Sequence, residues 1–299
     1  MIVPGWQGRT DQPGERWHQV VQPWTPTTRG GVAFTGFGCD EGVRRNQGRV
    51  GSAEGPTALR AMMSNLATVR PDLYDCGDIT VKSQEFEVAQ LLYAEKIACS
   101  IDATSLAIGL GGGHEIAYGS YMGLMKSEMI GKADRIGIIN LDAHLDLRAG
   151  EPSSGTPFAQ ALDLGGGSTQ YLALGISEAA NGQSLFERAD ALGAQYVLDH
   201  ELVKPPIEKL HQALDNIEHL YVSLDLDVLP ASVAPGVSAP AGRGVSVEVI
   251  TQILQITAAS GKLRIFDVAE LNPRYDVDNR TARTAARLIW EVVKAWKPS

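Results

Sequence analysis

Ile136-Gly137-Ile138-Ile139-Asn140-Leu141-Asp142-Ala143-His144-Leu145-Asp146 passes from an apolar run straight into two carboxylates and an imidazole. Leu220-Tyr221-Val222-Ser223-Leu224-Asp225-Leu226-Asp227 repeats the plan. Near-continuous apolar runs of this length read as strands buried on both faces of a sheet. Side chains two residues apart point the same way on an extended chain. Asp142, His144 and Asp146 are therefore expected on one face, and so are Asp225 and Asp227. Four carboxylates and an imidazole brought together repel one another unless cations lie between them. The pattern points to a metal centre at strand ends, and the number of ligands points to a binuclear one.

Further apolar runs lie on both sides of these two. They are Val32–Phe34, Ser105–Ile108, Tyr171–Leu174, Gln195–Leu198 and Leu263–Phe266. Helical spacing separates them: Phe86, Ala89, Leu92, Tyr93 and Ile97, and later Ala285, Leu288, Ile289, Val292 and Trp296, recur at three and four residues. Pro56 suits a first helical turn, and Ser246 suits an N-cap before Val249, Ile250, Ile253 and Leu254. Strands alternating with helices predict an α/β fold, a parallel sheet covered on both faces, with ligands collecting beyond the carboxyl ends of the strands. No shift of composition or charge divides the chain, so residues 31–299 read as one doubly wound domain. Residues 1–30, with Trp6, Trp17 and Trp24 among Gly, Gln, Pro and Thr, read as an irregular arm packed on that body.

Bulk composition narrows the function. A net charge of −9 argues against a nucleic-acid partner. No stretch approaches a transmembrane span, and Met1–Arg9 lacks the basic-then-apolar layout of a signal peptide. Cys39, Cys76 and Cys99 are odd in number and form no CxxC pair, which fits reduced thiols in the cytoplasm. A small-molecule substrate is the expected partner.

A third cluster, Gly111-Gly112-Gly113-His114-Glu115, follows the Ser105 run. It lacks the Gly-Lys-Ser/Thr ending of a phosphate loop, and His114 stands where a dinucleotide fingerprint needs its third glycine. Alone it could be a tight turn with a buried histidine. Beside two acidic clusters at equivalent strand ends it reads as a further ligand donor. Four aspartates and two histidines make a hard, oxygen-rich set that suits manganese or a similar divalent ion. The fourth feature, Asp267-Val268-Ala269-Glu270-Leu271-Asn272-Pro273, places Glu270 at the same sheet edge, free to hold a cationic group.

Gly111–Glu115, Asn140–Arg148, Ser223–Pro230 and Asp267–Pro273, in this order, resemble the ureohydrolase family of arginase, agmatinase and formimidoylglutamase. Trp6–Arg9, Arg16–His18, Arg44–Arg49, Val233–Pro240 and Asp276–Arg283 are similar to its formimidoylglutamase branch. The resemblance implies a three-layer α/β/α arginase-like fold, two Mn2+ per subunit, and assembly as a homo-oligomer. It implies one ion on His114, Asp142, Asp146 and Asp225, and a second on Asp142, His144, Asp225 and Asp227. Glu270 would hydrogen-bond the amidine nitrogens. Ser154 stands where arginase and agmatinase carry a histidine, which argues against those two activities and removes a proton shuttle.

The implied reaction is hydrolysis of N-formimidoyl-L-glutamate to L-glutamate and formamide. Two divalent ions lower the pKa of a shared water, and Asp146 is expected to take its proton to the leaving nitrogen. The two substrate carboxylates need cations, for which Arg44, Arg45, Arg49, Arg243 and Arg274 are the candidates. The rivals are a guanidinobutyrase or agmatinase, a mononuclear zinc amidohydrolase like the histone deacetylases, and a non-catalytic metal-binding assembly protein.

Overall fold

In the computed structural model, residues 3–9, 11–81 and 85–298 are described. Met1, Ile2 and Thr10 of the expected arm, and Ser299 at the end of the expected domain, lie outside them. The strands are β1 (Gln22–Pro23), β2 (Val32–Gly38), β3 (Leu73–Thr80), β4 (Leu106–Gly111), β5 (Ile136–Leu141), β6 (Thr169–Ile176), β7 (Gln195–Leu198), β8 (His219–Asp225) and β9 (Leu263–Ala269). They form one sheet in the order β1-β3-β2-β4-β9-β8-β5-β6-β7, parallel at every pairing. Each apolar run read as a strand is one.

Alternation along the strands feeds two cores. Ile136 and Ile138 of β5 pack on one face with Phe37, Tyr93, Tyr121 and Phe158. Ile139 and Leu141 pack on the other with Leu59, Leu254, Leu288 and Ile289. The first face carries the helices Phe86–Thr104, Ile116–Lys126 and Pro157–Gly165. The second carries Gly55–Met63, Val247–Ala258 and Arg280–Ala295, which pack on one another. Pro56 opens its helix, and the Ser246 hydroxyl accepts the Val249 N–H at 3.3 Å as an N-cap. Trp296 stands just past the end of the last helix instead of within it.

The first thirty residues carry regular structure where only an arm was expected. They include a short helix, Trp17–Val20, and the edge strand β1. Trp6 and Trp17 are buried against Phe34, and the Trp6 indole donates to Asp75 at 2.5 Å. Trp24 is half-buried. No helix among the described residues is long and apolar enough to cross a membrane, and Cys39, Cys76 and Cys99 are unpaired.

Candidate metal centre

Four adjacent strands in the middle of the sheet, β4, β9, β8 and β5, end in the four clusters. His114 follows β4, Asp142–Asp146 follows β5, Asp225 and Asp227 close β8, and Glu270 follows β9. The approach at β4 is tight. A Cβ on Gly112 would stand 1.8 Å from the Cys39 carbonyl oxygen, and one on Gly111 would stand 2.5 Å from that of Val268. Only glycine lets these backbones meet so closely.

The six proposed ligands converge, though not by the extended-chain alternation that the sequence suggested. β5 stops at Leu141, Asp146 is left-handed (φ 49°), and Leu226–Val228 is a 3-10 turn. Each acidic cluster folds instead around an Asp side chain that accepts the N–H two residues on. Asp142 Oδ1 takes that of His144 at 2.7 Å, and Asp225 Oδ1 takes that of Asp227 at 2.8 Å.

Asp142 is shared by two groups of potential ligand atoms, His114–Asp142–Asp146 and Asp142–His144–Asp227. His114 Nδ1 lies 3.2 Å from Asp142 Oδ2, 2.9 Å from Asp146 Oδ2 and 3.1 Å from Asp225 Oδ2. His144 Nδ1 lies 3.4 Å from Asp142 Oδ1 and 3.0 Å from Asp227 Oδ2. A ring nitrogen carries at most one proton, yet His114 Nδ1 faces three carboxylates, two of them buried, and makes no hydrogen bond of good geometry among the described residues. A divalent cation among these oxygens and the imidazole lone pair satisfies all of them, so the residues fit metal ions.

The electrostatics agree. Burial opposes the charge on His114, and Asp142, Asp146 and Asp225 overcome it, raising its pKa well above the usual value. Asp227, chiefly, and Asp142 raise that of His144. Burial, then the charge of Asp142, pushes Asp146 up to about 6. Asp225 and Asp227 are raised by burial and by their acidic neighbours. Asp142 alone is held low, because both imidazoles face it and outweigh its burial. Asp146 and Glu270 (φ 69°) both sit in the left-handed region, strained backbone of the kind that collects at functional sites.

The centre floors a cavity of about 320 Å³. Glu270 is 4% exposed; its Oε1 accepts the His114 N–H at 2.8 Å and its Oε2 has no partner among the described residues. Burial and the neighbouring Glu115 push Glu270 up to about 8. Ser154 lines the cavity and accepts from Asn46 Nδ2 at 3.2 Å. Of the five candidate arginines, Arg49 reaches the cavity. Its guanidinium is committed to the carbonyls of Val237 and Ser238 and lies 3.9 Å from the Tyr275 ring centre. Arg44 pairs with Glu41, Arg45 with Glu41 and Glu87, and Arg274 with Glu54. Those three and the exposed Arg243 do not line it.

Sequence reasoning gave no role to several residues that shape the site. Asn181 accepts the Leu145 N–H at 3.0 Å and donates to Ala143 and Ser177, pinning the loop that carries His144. Ser223 and Asp267 back His114: Ser223 Oγ lies 2.9 Å from His114 Nε2 and donates to Asp267 at 2.6 Å. Arg148 lines the cavity too. Its sequence signals were its place two residues past Asp146 and at the end of the family-like segment Asn140–Arg148.

The family model of the arginase family matches residues 31–294. A protein named formimidoylglutamase from Aeromonas hydrophila is 47% identical over 97% of this chain and 96% of its own length. One of the same name from Nocardia farcinica is 47% identical over 99% and 98%. The crystal structure of Trypanosoma cruzi formiminoglutamase with Mn2+ superposes with a TM-score of 0.80, at 26% identity over 89% of this chain and 93% of that one. That of formimidoylglutamase from Bacillus subtilis shares the fold, with a TM-score of 0.86 at 20% identity over 98% and 95%. Matched by the model over most of its length and by relatives over nearly all of it, the chain belongs to the arginase family.

Proposed function

We infer that this protein hydrolyses N-formimidoyl-L-glutamate to L-glutamate and formamide, using two Mn2+ ions per subunit. The observation that carries the reading is Asp142, shared by two histidine–carboxylate groups on the floor of one cavity. His114, Asp142, Asp146 and Asp225 would hold one ion; Asp142, His144, Asp225 and Asp227 would hold the other. Such a pair supplies a water that is deprotonated near neutral pH and charge to stabilise the tetrahedral transition state.

The chain's own groups do the rest. The water adds its oxygen to the formimino carbon, and the bond from that carbon to the glutamate α-nitrogen breaks. Asp146, which lines the cavity, accepts the water proton and returns it to that nitrogen. Glu270 Oε2, buried and without a partner among the described residues, is the acceptor for the amidinium N–H groups at the cavity that Glu270 lines. Ser154 replaces the shuttle histidine, so proton traffic falls to Asp146. The names of the relatives support formimidoylglutamate over arginine, agmatine or guanidinobutyrate.

Residues 31–299 would form the catalytic domain, with 1–30 docked on it through Trp6 and Trp17. Three unpaired thiols support a cytoplasmic setting, and family resemblance supports a homo-oligomer. Turnover of those four substrates by manganese-loaded protein tests the reading. Formimidoylglutamate should be the best, and faster turnover of agmatine would sink the assignment.

A further inference from the structure

We propose that Glu115 is a positioning residue: its buried carboxyl group fixes the Asn46–Arg49 wall of the cavity relative to the metal centre. The proposal rests on the function inferred above and adds a residue that acts through its neighbours, since Glu115 does not itself line the cavity.

Glu115 follows His114 directly and is 1% exposed. Burying a carboxyl group is costly unless its oxygens are used. Two glycines make the room for this one. A Cβ on Gly42 would stand 2.5 Å from Glu115 Cδ, and one on Gly113 would stand 2.1 Å from its Oε2. The use is at Oε1, which accepts the Gly42 N–H at 2.9 Å.

Gly42 lies in the short helix Glu41–Arg45, and the cavity wall is built on that helix. The Gly42 carbonyl accepts the Asn46 N–H at 2.9 Å, and the Val43 carbonyl accepts the Gly48 N–H at 2.8 Å. Asn46, Gln47, Gly48 and Arg49 then line the cavity opposite the metal ligands. One line of hydrogen bonds therefore runs from Glu115 through the Gly42 peptide to Asn46. Packing transmits the same constraint. A Cβ on Gly48 would stand 2.8 Å from Val43 Cγ1 and 3.0 Å from Ser238 Oγ, so the wall has no slack to absorb a shift of the helix. Two further bonds join the same regions, Gly112 N–H to the Phe37 carbonyl at 2.9 Å and Gly113 N–H to that of Cys39 at 2.8 Å. Both are backbone bonds made before the helix begins. Glu115 supplies the side-chain tie that reaches the helix itself.

The test compares Glu115→Ala with Glu115→Gln, which keeps an Oε1 acceptor for the Gly42 N–H. Hydrogen exchange on manganese-loaded protein reads the wall without any substrate. Exchange at Gly42, Asn46 and Gly48 should quicken in Glu115→Ala and stay at the wild-type rate in Glu115→Gln. Glu115→Ala should raise KM for N-formimidoyl-L-glutamate by roughly 10- to 100-fold, the scale of a binding surface displaced by about 1 Å, with kcat little changed. Glu115→Gln should restore KM. Manganese content should stay at the wild-type level, and so should turnover of formamidine, which has no glutamate moiety to meet the wall. Glu115→Asp keeps the charge but falls short of Gly42; it should match Glu115→Ala and replaces it if the alanine variant does not fold. Wild-type exchange and KM in the shortened variants, or equal losses of manganese and of both activities, would overturn the proposal. If exchange follows the expected pattern but wild type leaves formimidoylglutamate intact, the proposed activity is wrong and the positioning role stands.

Discussion

Replacing Ser223 by alanine removes one oxygen from a buried chain that sets the tautomer of His114. Asp267 Oδ1 accepts from the Ser223 hydroxyl at 2.6 Å, while Asp267 Oδ2 accepts from Ser120 at 2.5 Å and from Tyr221 at 2.7 Å. The single hydroxyl proton of Ser223 is thus spent on Asp267, and its oxygen accepts from His114 Nε2–H at 2.9 Å. That leaves the lone pair on Nδ1, the nitrogen ringed by Asp142, Asp146 and Asp225. Ser223→Ala deprives a fully buried N–H of its acceptor, a loss of about 1–3 kcal/mol. It also frees the ring to carry its proton on the wrong nitrogen. Losing the partner that orients a ligand histidine typically weakens a metal about 10- to 100-fold. Competitive chelator titration with manganese should show the step that depends on His114 weakened by that factor. The step that depends on His144 should be unmoved. Two unchanged steps would refute the idea that Ser223 and Asp267 orient the histidine.

EDTA should lower the melting temperature and manganese should restore it; an ion kept at one hundred times its Kd stabilises by about 2.7 kcal/mol, and a chelator-indifferent transition would mean that the site binds no metal. Asp142→Asn should abolish turnover and lose both ions, whereas Asp227→Asn should keep close to one ion by elemental analysis. Equal loss in the two variants would contradict a bridging Asp142. The metal-free protein should weaken as pH rises. Glu270 is raised from 4.5 to about 8 and Asp146 to about 6, each first by burial. Groups raised in the folded state stabilise fully below their unfolded values, and that contribution is lost as pH rises through the folded ones. Melting of the EDTA-treated protein across pH 4–9 should therefore fall towards about pH 8, and the manganese-loaded protein should not follow it.

Much of the sheet was legible because a strand buried on both faces is written as a local apolar run. β3 escaped. Leu73–Thr80 contains Asp75, Gly77 and Asp78, the residues of a turn, and its carboxylates are satisfied by Arg60 at 2.7 and 2.6 Å, a partner no local pattern reveals. β1 is two residues long and could not be read at all. The convergence of the acidic clusters was legible, but the reason given for it was wrong. Asp142 and Asp225 gather their neighbours by accepting an N–H two residues on, so the spacing survives while the extended backbone does not. The arginines show a different limit. Proximity to a recognisable segment singled out Arg44, Arg45 and Arg274, yet whether a guanidinium is free depends on acids such as Glu41 and Glu54, and on carbonyls such as Ser238, that only the fold brings up.

The position of β9 has a consequence for biogenesis. It is the last strand of the chain, yet it lies between β4 and β8 and is what joins β1–β4 to β5–β8. A chain emerging from the ribosome up to residue 262 can pair the strands of each half, but nothing zips the halves together. His114 then sits on one side of the gap, and Asp142, His144, Asp146, Asp225 and Asp227 sit on the other. The pairing that closes the gap spans more than 150 residues (107 with 265), a loop closure that comes late in folding. A nascent or truncated chain therefore holds five of the six proposed ligands apart from His114, and metal bound through all six would mark completion of the sheet.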